Sequence, residues 1–419
     1  MPLFPAQSGP LALSGLLIVL AGCVAYADSP PALNIEPTAE SFRPDRSALR
    51  SAALKPSDGP AVRPAVEVLA KPSQLSRSRG AEWLKRTQRS DGGWGAGAWG
   101  TDDPKAASDV ATTSLAVLAL YRDSSGDGRH REAIQSAIRY VATVVQVSPP
   151  GPRLQVPQGT QPQYKLGDLV DTHFAALMLG EMADTQDPAT NATIKTALTS
   201  VVARVQQAQQ ADGSFDSKGW APVLSSSVAA SSLYRAQELG IKVDKEVFEK
   251  NERYQRAKIK APAVAGGVAE LDSSEGAGVD LYSAATTLKG NYEAKRRGDA
   301  EDADKEASQV AEDAAYGRIA GEGSEQLFSG FGSVGGEEML SYMMISDTLA
   351  DAGGTKFEDW DKKVSGYLAG IQNNDGSWAG HHCITSRTFV TAAAMMSLGA
   401  PEAATMRAAR KGRDGRKSG

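Results

Sequence analysis

Cysteine and histidine are scarce in this chain of 419 residues, which contains two cysteines and four histidines. Two cysteines cannot form the several disulfides that stabilise small secreted domains, so a disulfide scaffold is excluded. Aromatic residues make up only 6% of the chain, and the formal net charge is −5 at pH 7. Because this charge is modest and negative, we expect no nucleic-acid partner.

One apolar stretch lies near the N-terminus. It consists of residues 11–24, LALSGLLIVLAGCV, and contains no charged residue. About 14 residues are too few to span a bilayer comfortably, but they fit the apolar core of a secretory signal. Lys and Arg are missing before this run, in contrast to the usual positive start of such signals. We therefore expect residues 1–27 to be a signal peptide or a lipoprotein signal, and the protein to be exported.

Two alternative processing signals lie at the end of this segment. Residues 20–23, LAGC, resemble a bacterial lipobox, which would make Cys23 a lipidated N-terminus that holds the protein at a membrane. Residues 25–27, AYA, form an A-x-A site whose cleavage would release a free protein. The expected location is therefore periplasmic, membrane-anchored or secreted. In each case Cys383 has no partner within the chain.

The rest of the chain divides by composition into three parts. Residues 28–73 are rich in Pro, Ala and Ser and lack a sustained apolar pattern, so we expect a disordered tether. Residues 401–419 are basic and lack apolar periodicity, which predicts a disordered tail. Residues 74–400 are long enough to bury roughly three quarters of their unfolded surface in one domain.

This body contains a short motif, Q-x3-G-x-W, that follows amphipathic helical patterns. The motif is complete at residues 88–94 and 372–378, and residues 209–215 have Phe in place of Trp. Each copy contains Asp-Gly, which predicts a tight turn because glycine accepts the positive φ that ends a helix and reverses the chain. We expect the aromatic side chain to pack back against the helices that the turn connects.

Apolar runs rich in small residues recur at a spacing of about 55 residues. A helix that is apolar nearly all round is buried among other helices, whereas the run before each one has a polar face. Six such hairpins predict an all-α fold, an (α/α)6 toroid in which a ring of inner helices surrounds a funnel. The inner runs are residues 109–121, 168–182, 225–239, 278–289, 336–350 and 384–398.

The Q-x3-G-x-W turns between paired helices resemble the prenyltransferase and squalene-oxidase repeat. That repeat occurs in squalene–hopene cyclases, in the β subunits of protein prenyltransferases and in the thioester domains of complement-type proteins. The resemblance covers most of residues 74–400, and six hairpins are the usual number in the superfamily. It implies the toroid fold but no particular activity, because members carry different sites on the same fold.

The motifs that carry those activities are incomplete in this chain. The cyclase acid Asp-x-Asp-Asp has Lys at its last position in residues 302–305 and 359–362, and residues 102–106 fail as a DDxxD box. Residues 335–340, GGEEML, resemble the complement thioester motif but lack its Cys and Gln. Residues 278–283, GVDLYS, resemble a zinc-binding segment of the prenyltransferases, with Asp280 matching the ligand Asp and Tyr282 in place of the ligand Cys.

Polar residues nevertheless gather at the predicted starts of the inner helices, which a closed ring would bring to one rim of the funnel. His, Asp and Cys are zinc ligands, so His173, Asp280, His382 and Cys383 form a candidate zinc set. The alternative is that the acids are ordinary helix caps and that the adjacent His-His-Cys is a polar lip on a turn. The candidate ligand-binding residues are Asp109, Asp171, His173, Asp280, Tyr282, Glu337, Glu338, His381, His382 and Cys383.

The expected function is that of an exported repeat protein that binds a non-terpenoid ligand, either a small molecule or a protein, at the funnel mouth. Two enzymatic alternatives stay open. One is a metal-dependent activity at the rim, and the other is a divergent terpenoid cyclase or prenyltransferase.

Overall fold

The computed structural model describes residues 71–99, 101, 103–216, 218–257, 259–260, 270–271, 279–297, 302–321, 324–329 and 333–417. The predicted signal segment, the lipidation site Cys23 and nearly all of the predicted tether lie outside these residues. Within them, none of the helices combines the length and the hydropathy that a membrane crossing requires.

The described residues are mostly helical, which confirms the all-α prediction. Two strands of two residues each, β1 (Ile259–Lys260) and β2 (Glu270–Leu271), form an antiparallel pair in which Ile259 lies opposite Leu271. The helices are α1 (Pro72–Thr87), α2 (Val110–Ser124), α3 (Arg131–Val147), α4 (Gln161–Leu166), α5 (Val170–Met182), α6 (Pro188–Ala208), α7 (Pro222–Glu238), α8 (Lys245–Ala257), α9 (Asp280–Arg297), α10 (Asp302–Ala320), α11 (Ser324–Ser329), α12 (Gly336–Ala352), α13 (Thr355–Gly370), α14 (Arg387–Leu398) and α15 (Ala400–Lys417).

Six of these helices, α2, α5, α7, α9, α12 and α14, coincide with the six predicted inner runs and are buried along much of their length. Their boundaries differ from the prediction by at most three residues, except that α9 continues eight residues beyond its predicted end. Helix α7 begins at Pro222 because proline is well suited to the first turn of a helix. Helix α14 begins only after Ser386, whose hydroxyl accepts a hydrogen bond from the backbone N–H of Phe389.

Each inner helix packs against two other inner helices, and these are its most extensive contacts except in α9, which packs most against α10. Helix α2 lies against α5, α5 against α7, α7 against α9, α9 against α12, α12 against α14, and α14 against α2. Six other helices, which we call the outer helices, each pack against at least one inner helix. They are α1, α3, α6, α8, α10 and α13. Following these contacts from one inner helix to the next therefore leads from α2 through the other five and back to α2.

The three Q-x3-G-x-aromatic turns make the same hydrogen bonds. In the first turn, the Gln88 amide donates to the carbonyl of Gly92 at 2.8 Å and to the carbonyl of Ala133 in α3 at 2.9 Å. Gln209 and Gln372 form both bonds in their own turns, with the second acceptor lying in α8 and α1 respectively. The last turn in the chain is thus attached to the first described helix.

The aromatic side chains of these turns, Trp94, Phe215 and Trp378, are completely buried. The indole N–H of Trp94 donates to the carbonyl of Leu84 at 2.9 Å, and Trp378 makes the equivalent bond to Leu368 at 2.8 Å. The aromatic residue therefore packs against the helix that the turn ends, as predicted, and its polar atom is satisfied there.

The turn glycines have φ values of +89°, +98° and +94° at positions 92, 213 and 376. A Cβ atom at any of them would overlap a backbone carbonyl oxygen of the neighbouring outer helix. Only glycine fits both the backbone conformation and the close approach.

The prediction of a disordered tail is wrong for residues 401–417, which are helical and belong to α15. Ala403 is buried, and the guanidinium group of Arg407 lies 2.8 Å from the carboxylate of Asp351 in α12. Arg410 donates to the carbonyl of Glu181 in α5 at 3.0 Å. Two of the basic residues that indicated a solvated tail, Arg407 and Arg410, instead have partners on distant helices, which composition alone could not reveal.

Candidate functional site

The predicted rim residues lie mostly in the protein interior rather than on an open surface. His382, Cys383 and Asp280 are partly buried, and His381 is exposed. The remaining candidates, Asp109, Asp171, His173, Tyr282, Glu337 and Glu338, are buried.

Asp109 and Asp171 hold the starts of two neighbouring inner helices. Asp109 caps α2 by accepting hydrogen bonds from the backbone N–H groups of Thr112 and Ala96, each at 2.7 Å. Asp171 accepts a bond from the N–H of Ala111 at 2.9 Å and thereby joins α5 to α2. Burial and the nearby charge of Asp171 raise the pKa of Asp109 to about 7. The helix-cap interpretation is therefore confirmed for Asp109.

A second acidic cluster joins α9, α12 and the segment before α14. The Tyr282 hydroxyl donates to Glu338 at 2.5 Å, and Glu338 also accepts a bond from the N–H of Gly335 at 2.8 Å. Glu337 accepts a bond from the N–H of Ile384 at 3.2 Å. Burial, with the Glu338 charge as the second cause, raises the pKa of Glu337 to about 8. Each of these groups binds a neighbouring element and has a structural role.

His173 is a core histidine. Its Nδ1 lies 2.7 Å from the Ser225 hydroxyl, and its ring meets Phe215 edge to face with centroids 6.5 Å apart. Burial lowers the pKa of His173 to about 3, so the imidazole is neutral at physiological pH. The side chain connects α5 to α7.

The His-His-Cys segment lies in the loop before α14, beside the residues that precede α12. The His381 backbone N–H donates to the carbonyl of Val334 at 2.8 Å, and His382 Nε2 lies 2.9 Å from the carbonyl of Ser333. Burial, and next the charge of Glu337, raise the pKa of the Cys383 thiol to about 12. A thiol that stays protonated is a poor nucleophile and a poor metal ligand.

The candidate zinc set does not come together. Asp280 pairs with Arg318 at 3.0 Å, whereas His173 bonds to Ser225 and His382 lies against the carbonyl of Ser333. In the ranges that the structure describes, no three His, Cys, Asp or Glu side chains are placed to hold a metal ion. The sequence placed these residues near helix starts but could not show that their side chains point to different neighbours.

Lys165 of α4 packs beside this end of the inner helices, although sequence reasoning did not single it out. It is buried, and its ammonium group lies 4.3 Å from the ring centroid of Trp99 and 5.2 Å from that of Trp220. Both indoles are about half exposed, at 44% and 47%. Cation–π contacts therefore stabilise the lysine where the helix starts are packed.

A cavity of about 290 Å³ lies toward the C-terminal ends of the inner helices. Its lining combines apolar residues that are mostly buried with charged side chains that range from buried to exposed. The apolar residues are Leu118, Leu177, Val228, Met343, Met344 and Met396. The charged residues are Arg122, Glu181, Arg235, Glu238, Lys289, Glu293, Arg296, Arg297, Asp347, Asp351 and Arg407.

Ion pairs organise one side of this cavity. The Arg122 guanidinium donates two hydrogen bonds to Asp347, at 2.6 and 2.8 Å. Burial alone would raise the pKa of Asp347, but the charges of Arg122 and Arg407 outweigh it and lower that pKa below its usual range. Because both ions of the pair are almost completely buried, the pairing is needed to keep them in place.

Sequence reasoning missed this cavity because it assigned the functional end to the helix starts. A signal for the other end was nevertheless present. Charged residues recur near the ends of otherwise apolar inner runs, as Arg122 in LALYRD, Glu181 in LGEM and Asp347 in ISDTLAD. Such charges on a buried helix require partners or water, and this chain places several of them around one space.

Comparison with known proteins adds no assignment to this geometry, because no protein-family model and no curated protein matches the chain. The relation to prenyltransferase and squalene-oxidase repeats therefore stays a prediction. The two ends of the inner helices differ. Hydrogen-bonded side chains fill the end at the helix starts, whereas the other end surrounds a cavity.

Proposed function

We propose that this protein is an (α/α)6 toroid of the prenyltransferase and squalene-oxidase repeat type. The order of contacts among the inner helices, from α2 through α5, α7, α9, α12 and α14 back to α2, supports a closed ring. The shared hydrogen bonds of the three turns support a repeat. The bond from Gln372 to the carbonyl of Ser76 in α1 supports closure between the last hairpin and the first.

We propose further that the toroid binds a small molecule in the cavity at the C-terminal ends of its inner helices. One observation carries this proposal: a cavity of about 290 Å³ is lined both by buried apolar side chains and by charged groups. Ligand sites are typically concave and combine apolar side chains with polar groups that orient the ligand, and their volumes begin at roughly 300 Å³. The funnel mouth is thus assigned to the opposite helix ends from those that the sequence indicated.

The enzymatic alternatives have less support from the site. A metal-dependent activity at the helix starts would require the candidate zinc set to converge, and its residues bind separate neighbours. A terpenoid cyclase stabilises carbocations with aromatic faces, whereas Tyr234 is the one aromatic side chain among the described residues that line the cavity. Binding without terpenoid chemistry is therefore the better proposal.

We also propose that the protein acts outside the cytoplasm. This proposal depends on the apolar run at residues 11–24 and the two processing signals at residues 20–27, all outside the described ranges.

The ligand-binding proposal is tested with the neutral fluorescent probe N-phenyl-1-naphthylamine. We expect one probe to bind each molecule, with a rise in fluorescence. Met344→Trp, which fills the cavity, should weaken this binding at least about 10-fold. The surface variant Leu75→Trp introduces the same side chain at a position that is 56% exposed, and its binding should match that of the parent protein.

Circular dichroism and thermal unfolding establish that each variant is folded. Ser231→Phe fills the same cavity from α7 and provides a second, smaller obstruction. Probe binding that neither filling variant reduces, or the absence of any binding, would contradict a ligand site in this cavity.

A further inference from the structure

The charges around the cavity are balanced on the side formed by α2, α5, α12 and α15. Arg122 binds Asp347 with two hydrogen bonds, and Arg407 lies 2.8 Å from Asp351. Glu181 lies 3.8 Å from a further arginine of α15. Each of these cations thus faces a carboxylate, so the described residues on this side leave no excess positive charge for a ligand.

The side formed by α7 and α9 contains two further cations, each paired with a carboxylate of α9 or α8. Lys289 lies 3.2 Å from Glu293, and Arg297 lies 2.9 Å from Glu252. All four side chains are at most 18% exposed. These pairs, too, are balanced.

Arg235 and Arg296 share a single carboxylate on this same side. Arg235 lies 3.1 Å from Glu238, and the Arg296 guanidinium also contacts Glu238. The two arginine side chains are 17% and 27% exposed and line the cavity together. Two guanidinium groups with one carboxylate leave one unit of positive charge at a partly desolvated position, where electrostatic interactions are stronger than in water.

We propose that the ligand is a monoanion with an apolar body, whose acidic group binds between Arg235 and Arg296. This inference depends on the proposed ligand-binding function and names the class of ligand. The guanidinium group presents paired N–H donors that match a carboxylate or a similar oxyanion. One unit of excess charge is neutralised by one acidic group, and the apolar body packs against the methionines of α12 and α14.

Glu293 gives independent support for a polar group in the same part of the cavity. Its carboxylate faces Ser231 and pairs with Lys289 through Oε1, but its buried Oε2 atom has no hydrogen-bond partner of good geometry within the part of the chain that the structure describes. A buried acceptor without a partner costs free energy, and a hydroxyl or N–H of the ligand would remove that cost. We therefore expect the ligand to carry a hydrogen-bond donor near its acidic group.

The test compares two probes that share one ring system. The monoanion 1-anilinonaphthalene-8-sulfonate carries a sulfonate that neutral N-phenyl-1-naphthylamine lacks, and both carry an N–H donor. We expect the full-length protein to bind the sulfonate at least about 10-fold more tightly. Arg296→Gln should reduce sulfonate affinity at least about 10-fold while changing the affinity for the neutral probe less than about twofold.

Glu238→Gln provides a variant with the opposite expected sign. Removing this carboxylate leaves both guanidinium groups without their shared counter-charge, so sulfonate affinity should rise at least about threefold. A purely structural role of Glu238 would not raise affinity for the anion alone. Arg129→Gln is the matched control, because Arg129 is exposed, pairs with Asp127 and does not line the cavity.

The results separate this inference from the proposed function. Equal affinities for the two probes, together with no effect of Arg296→Gln and Glu238→Gln, would overturn the monoanion assignment while the cavity still binds ligands. Failure to bind either probe, or binding that the cavity-filling variants leave unchanged, would overturn the ligand-binding proposal itself.

Discussion

Glu337 and Glu338 are consecutive residues at the start of α12, and both side chains are fully buried. Glu338 accepts hydrogen bonds from Tyr282 and from the N–H of Gly335. Glu337 accepts one bond, and its Oε1 has no partner among the described residues. The hydrogen-bonding needs of Glu338 are therefore met better than those of Glu337. We expect Glu337 to make the stability of the fold depend on pH.

The pKa of Glu337 is raised from 4.5 to about 8 in the folded protein. The folded state therefore keeps this proton where the unfolded state has lost it, and the stabilisation present below pH 4.5 is lost as the pH rises through about 8. Gln cannot ionise, so Glu337→Gln should gain on the order of 2–4 kcal/mol relative to the parent protein between pH 5 and pH 9. Urea unfolding at both pH values measures this change.

The exposed acid Glu358 provides the matched control for this measurement. Glu358→Gln is a surface substitution and should change the free energy of unfolding by no more than about 0.5 kcal/mol at either pH. A Glu337→Gln effect that is also equal at the two pH values would show that Glu337 is ionised normally in the folded state.

At the scale of elements, α15 tests whether the basic end of the chain belongs to the folded body. Arg407 is 17% exposed and pairs with Asp351, which is 10% exposed. Ending the chain after Gly399 removes this cation and leaves buried carboxylates behind, which typically costs about 3–5 kcal/mol. Chemical denaturation of the truncated protein should show a loss of at least this size.

A shorter truncation separates this effect from the loss of chain length. Removing residues 411–419 keeps both Arg407 and Arg410, so it should change the free energy of unfolding by less than about 1 kcal/mol. If the two truncated proteins are equally stable, α15 does not stabilise the folded body, and the prediction of a disordered tail would be supported.

At the scale of the whole molecule, the N-terminal segment decides where the ligand site operates. A diacylglyceryl group on Cys23 would place the cavity near a membrane, whereas a mature chain that begins at Asp28 would be free in solution. Mass spectrometry of the protein from bacterial cells distinguishes these forms. We expect one of them, and Cys23→Ser should abolish membrane association in the first case and have no effect in the second.

An intact Met1 on a protein recovered from the cytosolic fraction would contradict export in either form. The ligand class proposed above does not depend on this result, because Arg235 and Arg296 lie in the folded body.

The sequence by itself determined the fold class and the positions of the inner helices. The six apolar runs and the Asp-Gly turns are local patterns, and burial on all sides or a positive φ is encoded within a few neighbouring residues. The packing of the turn aromatics could also be predicted in outline, because Trp94 and Trp378 occupy the same position in the sequence relative to their turn glycines. Local patterns that repeat at a regular spacing can be recognised without knowing which distant residues are in contact.

Only the tertiary structure decided which end of the inner helices holds the cavity and which polar residues meet. Arg122 and Asp347 are separated by 225 positions, and nothing in the sequence around either one identifies the other. Likewise, His173 and Asp280 both lie near helix starts, yet their side chains turn to Ser225 and Arg318. Helical periodicity specifies which residues are buried, but the direction of each polar side chain depends on partners brought close by the packing of distant helices.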